Sequence, residues 1–343
     1  MLRKTRWSRI LLSLLLLLLA TIVLSMVVGT APIPMNDILN IFLSRIPGLE
    51  ALISSTYLPS WEIIIIEVRL PRVLLGAFVG ASLAVAGTSM QGLFRNPMAD
   101  PFVIGISSGA ALGAVMTLPM ESVLLDTGVH YVAPFFAFVG ALGAVLLVYS
   151  ISRVGGKLPV ETLLLAGVAV ASFLSAVTSI VKYAYSRDIW SVLFGLTGSL
   201  GAAEWIDINV VFPACVLGTV ILVFFARDLN GIMLGEETAK HLGIEAEKVK
   251  KIILVVSSFI TAAAVVTSGT IGFVGLVTPH VMRLIVGPDH RILIPSSAIV
   301  GGIFLIWCDT IARTLIAVPV SMITALFGAP FFIYLLWRRK RST

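Results

Sequence analysis

The sequence predicts an all-α, polytopic membrane protein of ten transmembrane helices, carried in a single domain over residues 1–343. Three observations predict it. The first is composition: 58% of residues are hydrophobic, 12% are charged, and mean hydropathy is +1.04, whereas soluble domains hold about 45–50% apolar and about 25% charged residues. The second is that the apolar residues fall in repeated runs of a length that crosses about 30 Å of hydrocarbon. The third is an uneven sharing of basic residues between alternate connections. Together these exclude a water-soluble globule, a disordered chain and a free-standing nucleic-acid binder, despite a net charge of +6 and a pI near 9.5. The partner implied directly is the lipid bilayer.

The first run is Ile10–Val28, preceded by Arg3, Lys4, Arg6 and Arg9. It outruns the about 7–15 residues of a signal-peptide core, and Gly29-Thr30-Ala31 is a poor cleavage site, so a retained first span is expected. An outer loop, Thr30–Ile63, follows and contains an amphipathic stretch, Met35–Ile46. The remaining spans are expected at 72–92, 102–119, 131–153, 160–184, 207–227, 250–268, 272–287, 294–317 and 320–337. The third and eighth are short and Gly-rich, and such interruptions suit broken helices that line a cavity. Lys182–Ile206 reads as a second outer segment, and Asp228–Lys251 as the sustained charged island between spans.

Ten spans put both termini on one side. With that side cytoplasmic, the inner segments carry 18 of the 24 basic residues. The six outside are Arg45, Arg69, Arg72, Lys182, Arg187 and Arg313. Acidic residues divide 8 inside and 10 outside and discriminate little. The bias follows the positive-inside rule, and adding or dropping one span would scramble it. A multi-pass protein of the plasma (inner) membrane is expected.

Several chemistries are missing. A Walker A loop needs GxxxxGK[ST] to hold phosphates and magnesium. The nearest string, Gly155-Gly156-Lys157-Leu158, has Leu where the hydroxyl belongs and Ile151 where the first Gly belongs. There is no HExxH and no GxSxG. His130, His241, His280 and His290 have no ligand-like spacing, and Cys215 and Cys308 sit alone inside apolar runs. No catalytic residue, metal site or resident cofactor is expected, so the chain is not read as an enzyme.

What remains are packing and surface features. Gly76-x-x-x-Gly80, Gly109-x-x-x-Gly113, Gly269, Gly272, Gly275, Gly301 and Gly302 suit close helix approach in lipid. In the fifth span Ser172, Ser175, Thr178, Ser179 and Lys182 recur at three- and four-residue spacing. That stripe serves either helix packing or a pathway wall without strong ligands. In the charged island, Gly235 and Gly243 bracket a helix of about two turns, with Leu234, Ala239 and Leu242 as its apolar stripe and a second short helical stretch after it. A short amphipathic helix held between two spans suits docking into a partner's groove.

These residues also form motifs. Arg69-Leu-Pro-Arg72, Gln91-Gly-Leu-Phe-Arg-Asn-Pro-Met-Ala-Asp-Pro101, Gly105-Ile-Ser-Ser-Gly-Ala-Ala110, Leu163-Leu-Leu-Ala-Gly167, Leu234-Gly235 with Ala239 and Leu242-Gly243, Gly272-Phe-Val-Gly-Leu-Val-Thr-Pro-His280 and Gly328-Ala-Pro-Phe-Phe332 occur in that order. From about residue 65 onward the chain resembles the FecCD family of ABC-importer permeases. The resemblance implies the type II importer fold, with two ten-helix permeases around one pathway. Two cytoplasmic ATPases would bind ATP and magnesium, and an extracytoplasmic binding protein would deliver an iron–siderophore, haem or cobalamin. Since 343 residues hold one set of spans, a homodimer is expected. By the same resemblance, Leu234, Gly235, Ala239, Leu242 and Gly243 form the ATPase-coupling element. Val160 and Glu161 match the cytoplasmic gate, where a cobalamin-importing member carries small polar residues instead. Ser172, Ser175 and Ser179 would line the pathway. Arg69 and Arg72, flanking Pro71 in the expected first turn of span two, and Arg313 would receive acidic residues of the binding protein.

The alternative is an ion-coupled secondary transporter, which needs a titrating or sodium-binding group within the membrane. Asp309 is the candidate, and a same-helix pair with Arg313 is the simpler expectation for it. An intramembrane enzyme would need a nucleophile–base pair or a metal cluster, and the sequence offers neither.

Overall fold

The computed structural model describes residues 2–46, 57–118, 132–155, 158–185 and 197–341. Gly156 and Lys157 of the Walker-like string, His130, and residues 186–196 of the Lys182–Ile206 segment, Arg187 among them, lie outside the described residues.

Among the described residues seven helices are long and apolar enough to cross a membrane, and Ile106–Val115, Val274–Val286 and Val320–Leu335 are shorter apolar helices. Together they occupy the ten positions expected. In chain order the helices are α1 Leu2–Val27, α2 Met35–Leu43, α3 Pro59–Ile63, α4 Leu70–Leu93, α5 Ile106–Val115, α6 Val132–Ser152 and α7 Val160–Tyr185. They continue as α8 Trp205–Phe224, α9 Ala226–Met233, α10 Glu236–His241, α11 Ala246–Ser268, α12 Val274–Val286, α13 His290–Ile311 and α14 Val320–Arg341.

The centre of the bundle is α4, buried along almost its whole length. It is rich in small residues, which matters because lipid gives no hydrophobic drive for helix association and close packing must supply it. A Cβ at Gly80 would run into the carbonyl of Gly301, and one at Gly87 into that of Gly275. α13, α11, α12 and α8 all pack on α4, while α5 lies between α6 and α7. α1, α6 and α7 keep long runs of exposed Leu, Phe, Ile and Val, as lipid- or partner-facing helices do.

Two boundaries differ from expectation, each for a physical reason, and one expected short helix is absent. The second span begins at Pro59, not 72, because a π-helical turn at Ile64–Arg69 joins α3 to α4 into one apolar helix, Pro59–Leu93. Pro71 therefore lies inside a continuous helix. Its missing N–H and the clash of its ring with the preceding turn are absorbed where the helix widens. The third span is cut to α5 by a 3-10 turn, Pro101–Ile104, and a left-handed Gly105 (φ 79°). No second short helix follows Gly243. The short helix precedes it as α9, and Ala246 already begins the long α11.

The amphipathic outer stretch is the helix α2, whose Ile38 and Ile41 are buried in a cluster with Met26, Ile65, Val73 and Ile306. The last residues of the second outer segment thread into the bundle. Thr197 bridges Thr270, Ser199 N–H donates to Ser268 O (2.8 Å) and Ser321 N–H to Gly198 O (3.1 Å).

Candidate functional site: docking helix and outer arginine cluster

α10 is short, and its two ends are set by glycine. Gly235 enters it at φ 127°, a conformation closed to residues with a Cβ. At its end Gly243 is left-handed at φ 77°. Gly243 N–H donates to Lys240 O (2.9 Å) and Ile244 N–H to Ala239 O (2.9 Å), the paired bonds of a Schellman cap. This folds the chain back so that Ala239 is fully buried in a cluster with Leu229, Ile232, Ala246 and Val249. The expected apolar stripe is corrected accordingly. Ala239 faces inward, whereas Leu234 and Leu242, 71% and 62% exposed, are presented outward.

Beneath the helix lies an ionic cluster that the sequence reading missed. Lys250 is 3% exposed, and its ammonium donates to Glu236 Oε1 (2.6 Å) and Glu247 Oε1 (3.0 Å). The bond from Lys250 holds the Glu236 carboxyl below the usual carboxylate range. The second oxygen of Glu247 accepts from Leu158 N–H (2.9 Å). Leu158 stands directly before Pro159 and the expected gate residues, half-buried Val160 and exposed Glu161. In the sequence, the signal was a lysine at the end of the charged island, where the apolar run begins.

α9 is anchored separately. Asn230 donates to Asp289 (2.8 Å) and accepts from the His290 backbone N–H (3.0 Å), with the His290 ring also against it (2.8 Å). Asp289 caps α13 and holds Arg291 at 2.6 Å, which keeps its carboxyl well below the usual range. Arg283 of α12 donates to Gln91 of α4 (2.7 Å).

In α7, Ser172, Ser175 and Ser179 are exposed on one arc, and Thr178 is buried. Thr178 sits about 100° around the helix from Ser179, which turns it into the bundle and out of the stripe. Ser172 and Ser179 donate to the carbonyls of Val168 (2.8 Å) and Ser175 (2.9 Å), so the arc is polar but these two hydroxyl protons are engaged.

At the other end, Arg69, in the turn that leads into α4, and Arg313, in the turn that follows α13, meet the C-terminal end of α1, and Arg72 of α4 lies beside them. Arg69, 4% exposed, donates to Met26 O (2.7 Å) and to Ala31 O. Arg313 donates to the Ser25 carbonyl and hydroxyl. The Ser25 and Met26 carbonyls are terminal carbonyls of a helix, which basic side chains commonly satisfy. Arg72 grips buried Asp309 with two parallel bonds, Nε to Oδ2 (2.9 Å) and Nη2 to Oδ1 (2.8 Å). Arg313 Nε stands 3.9 Å from the same carboxylate. The expected same-helix pair is thus secondary, and the cross-helix fork to Arg72 is the main one. Arg72 and Arg313 also line a groove with Thr197, Ser199 and Pro319, at the end of the bundle expected to face outward.

A bundle of ten apolar helices, with a docking-shaped turn between two long ones and no strand among the described residues, defines a polytopic transport permease. Residues 16–338 match the FecCD transport family, and the chain belongs to it. It is 49% identical over 280 residues to the cobalamin import system permease protein BtuC of Halobacterium salinarum, covering 81% of this chain and 74% of that one. It is 40% identical over 306 residues to the hemin transport system permease protein HmuU of Yersinia pestis, covering 84% and 87%. Its fold matches a structure described as an inward-facing conformation of a metal-chelate type ABC transporter at a TM-score of 0.81, with 30% identity over 96% of this chain and 99% of that one.

Proposed function

We propose that the chain is the membrane permease subunit of an ABC importer that moves a metal chelate inward, of the iron–siderophore, haem or cobalamin class. A second copy of the chain completes the pathway. A separate ATPase subunit binds ATP and magnesium and docks on α10. An extracytoplasmic binding protein delivers the chelate to the outer arginines. Both termini lie in the cytoplasm and the membrane is the plasma (inner) membrane.

The observation that carries this reading is α10 itself. Two positive-φ glycines aim Leu234 and Leu242 away from the chain at the end of the bundle expected to face the cytoplasm. An exposed apolar pair on a rigid, capped turn has no use within the monomer and suits a hydrophobic groove. Family membership and the relatives' import functions support the substrate class. An ion-coupled mechanism gains nothing from Asp309, which is held by Arg72 at the outer end and is not a free carboxylate in the membrane. The test is direct. The purified chain alone should hydrolyse no ATP, whereas its ATPase partner should bind it and hydrolyse ATP faster when it is present. Steady turnover by verified partner-free protein would overturn the proposal.

A further inference from the structure

One polar chain joins the docking helix to the segment before the gate. It starts at Glu236, the first residue of α10, which accepts from Lys250 at 2.6 Å. Lys250 reaches Glu247 at 3.0 Å, and the other oxygen of Glu247 accepts from Leu158 N–H at 2.9 Å. From there Pro159 leads into α7, its carbonyl accepting from Leu163 N–H (3.1 Å). Three separate pieces of chain, α10, α11 and the α6–α7 connection, therefore meet through one lysine and two carboxylates.

We propose that Lys250 and Glu247 are positioning residues that transmit movement of the ATPase-docking helix α10 to the start of α7. The inference rests on the function proposed above. Three physical features support it. Lys250 is 3% exposed, and a buried ammonium loses heavily if its carboxylates move away, so the contacts move as a unit. Glu247 uses both oxygens in different directions, which ties Lys250 to a backbone amide instead of to another mobile side chain. Pro159 fixes φ directly before Val160, so the position of Leu158 sets the direction of the first turn of α7. The α6 end is tied in as well, with Ser152 Oγ near Thr162 O (3.5 Å) and Lys251 over the Tyr149 ring (5.7 Å). The nearby Glu245–Lys248 pair, 3.9 Å apart and exposed on both sides, reaches no other element and serves as a control.

The test uses the full chain with its ATPase partner in lipid nanodiscs, with spin labels at Glu161→Cys in both copies. ATP plus vanadate is the probe, so no chelate need be known. The unsubstituted relay should show a shift in the distance between labels on adding the probe. Lys250→Met should keep ATPase binding but lower the population of the shifted distance at least about fivefold, the lower end of measured couplings between sites. Lys250→Arg, which can grip both carboxylates, should restore it, and Glu245→Gln should leave it unchanged. Where Lys250→Met fails to accumulate, Glu247→Gln decides the matter, since it keeps an acceptor for Leu158 and weakens only the ionic half. A full shift in Lys250→Met or Glu247→Gln overturns the relay. Failure of the unsubstituted chain to bind the ATPase at all refutes the underlying function instead.

Discussion

At the residue scale, the two faces of α10 respond differently to a new charge. Leu242 is exposed, so Leu242→Glu should leave thermal unfolding of the detergent-solubilised chain within about 0.5 kcal/mol and abolish co-purification of the ATPase. Ala239 is fully buried, so Ala239→Arg should instead destabilise the chain by about 1–3 kcal/mol or more through overpacking and a buried charge. Equal effects of the two substitutions on stability would contradict the orientation of the helix. The outer arginines call for a similar distinction. Asp309→Ala leaves Arg72 and Arg313 without their carboxylate, and breaking a buried pair in this way costs about 3–5 kcal/mol. A melting curve of Asp309→Ala that overlays the parent would show that the fork to Arg72 is not formed.

At the element scale, α9 and α13 are held together by Asp289, the N-cap of α13. Its carboxyl is held below its ordinary range, chiefly by the Arg291 hydrogen bond, with Asn230 adding and burial opposing. A depressed folded value means that this stabilisation is complete above the ordinary carboxylate range, about pH 4, and is lost as pH falls below it. Unfolding temperature should therefore drop more steeply on acidification in the parent than in Asp289→Asn, which has no such proton to take up. Parallel pH profiles would contradict it. The close approach of α4 and α13 makes a second prediction. Gly80→Leu should prevent these helices from meeting and yield protein that aggregates on solubilisation, as size-exclusion profiles would report, whereas Gly143→Leu, where a Cβ meets nothing nearby, should not.

Legibility follows the range of the interaction. The ten helices were readable because hydropathy and the positive-inside rule act segment by segment. The cap at Gly243 and the bracket at Gly235 were readable because glycine at a helix end is a local demand of backbone geometry. Ala239 was misplaced because a six-residue helix has too few turns to define a face, and the fold of α10 back onto α9 and α11 decides which side is buried. The start of span two was misread because Pro71 signals a helix start locally, and only the widened turn at Ile64–Arg69 lets the helix run through it. Arg72–Asp309 and Glu247–Leu158 join residues distant in sequence, and a single sequence carries no trace of such pairs.

At the scale of the whole molecule, the small-residue core around α4 is a rigid block. At its two ends lie α10 and the arginine cluster, the parts proposed above to meet other chains. This division suits the proposed permease, with an ATPase at one end and a binding protein at the other. The most direct test is uptake by sealed proteoliposomes containing the purified chain and its ATPase, with the binding protein outside, ATP inside, and cyanocobalamin, haemin and ferric siderophore offered in parallel. The account predicts uptake of at least one of these that requires ATP and the ATPase and survives ionophores that collapse ion gradients. Uptake that proceeds without the ATPase and disappears with the ionophores would contradict it.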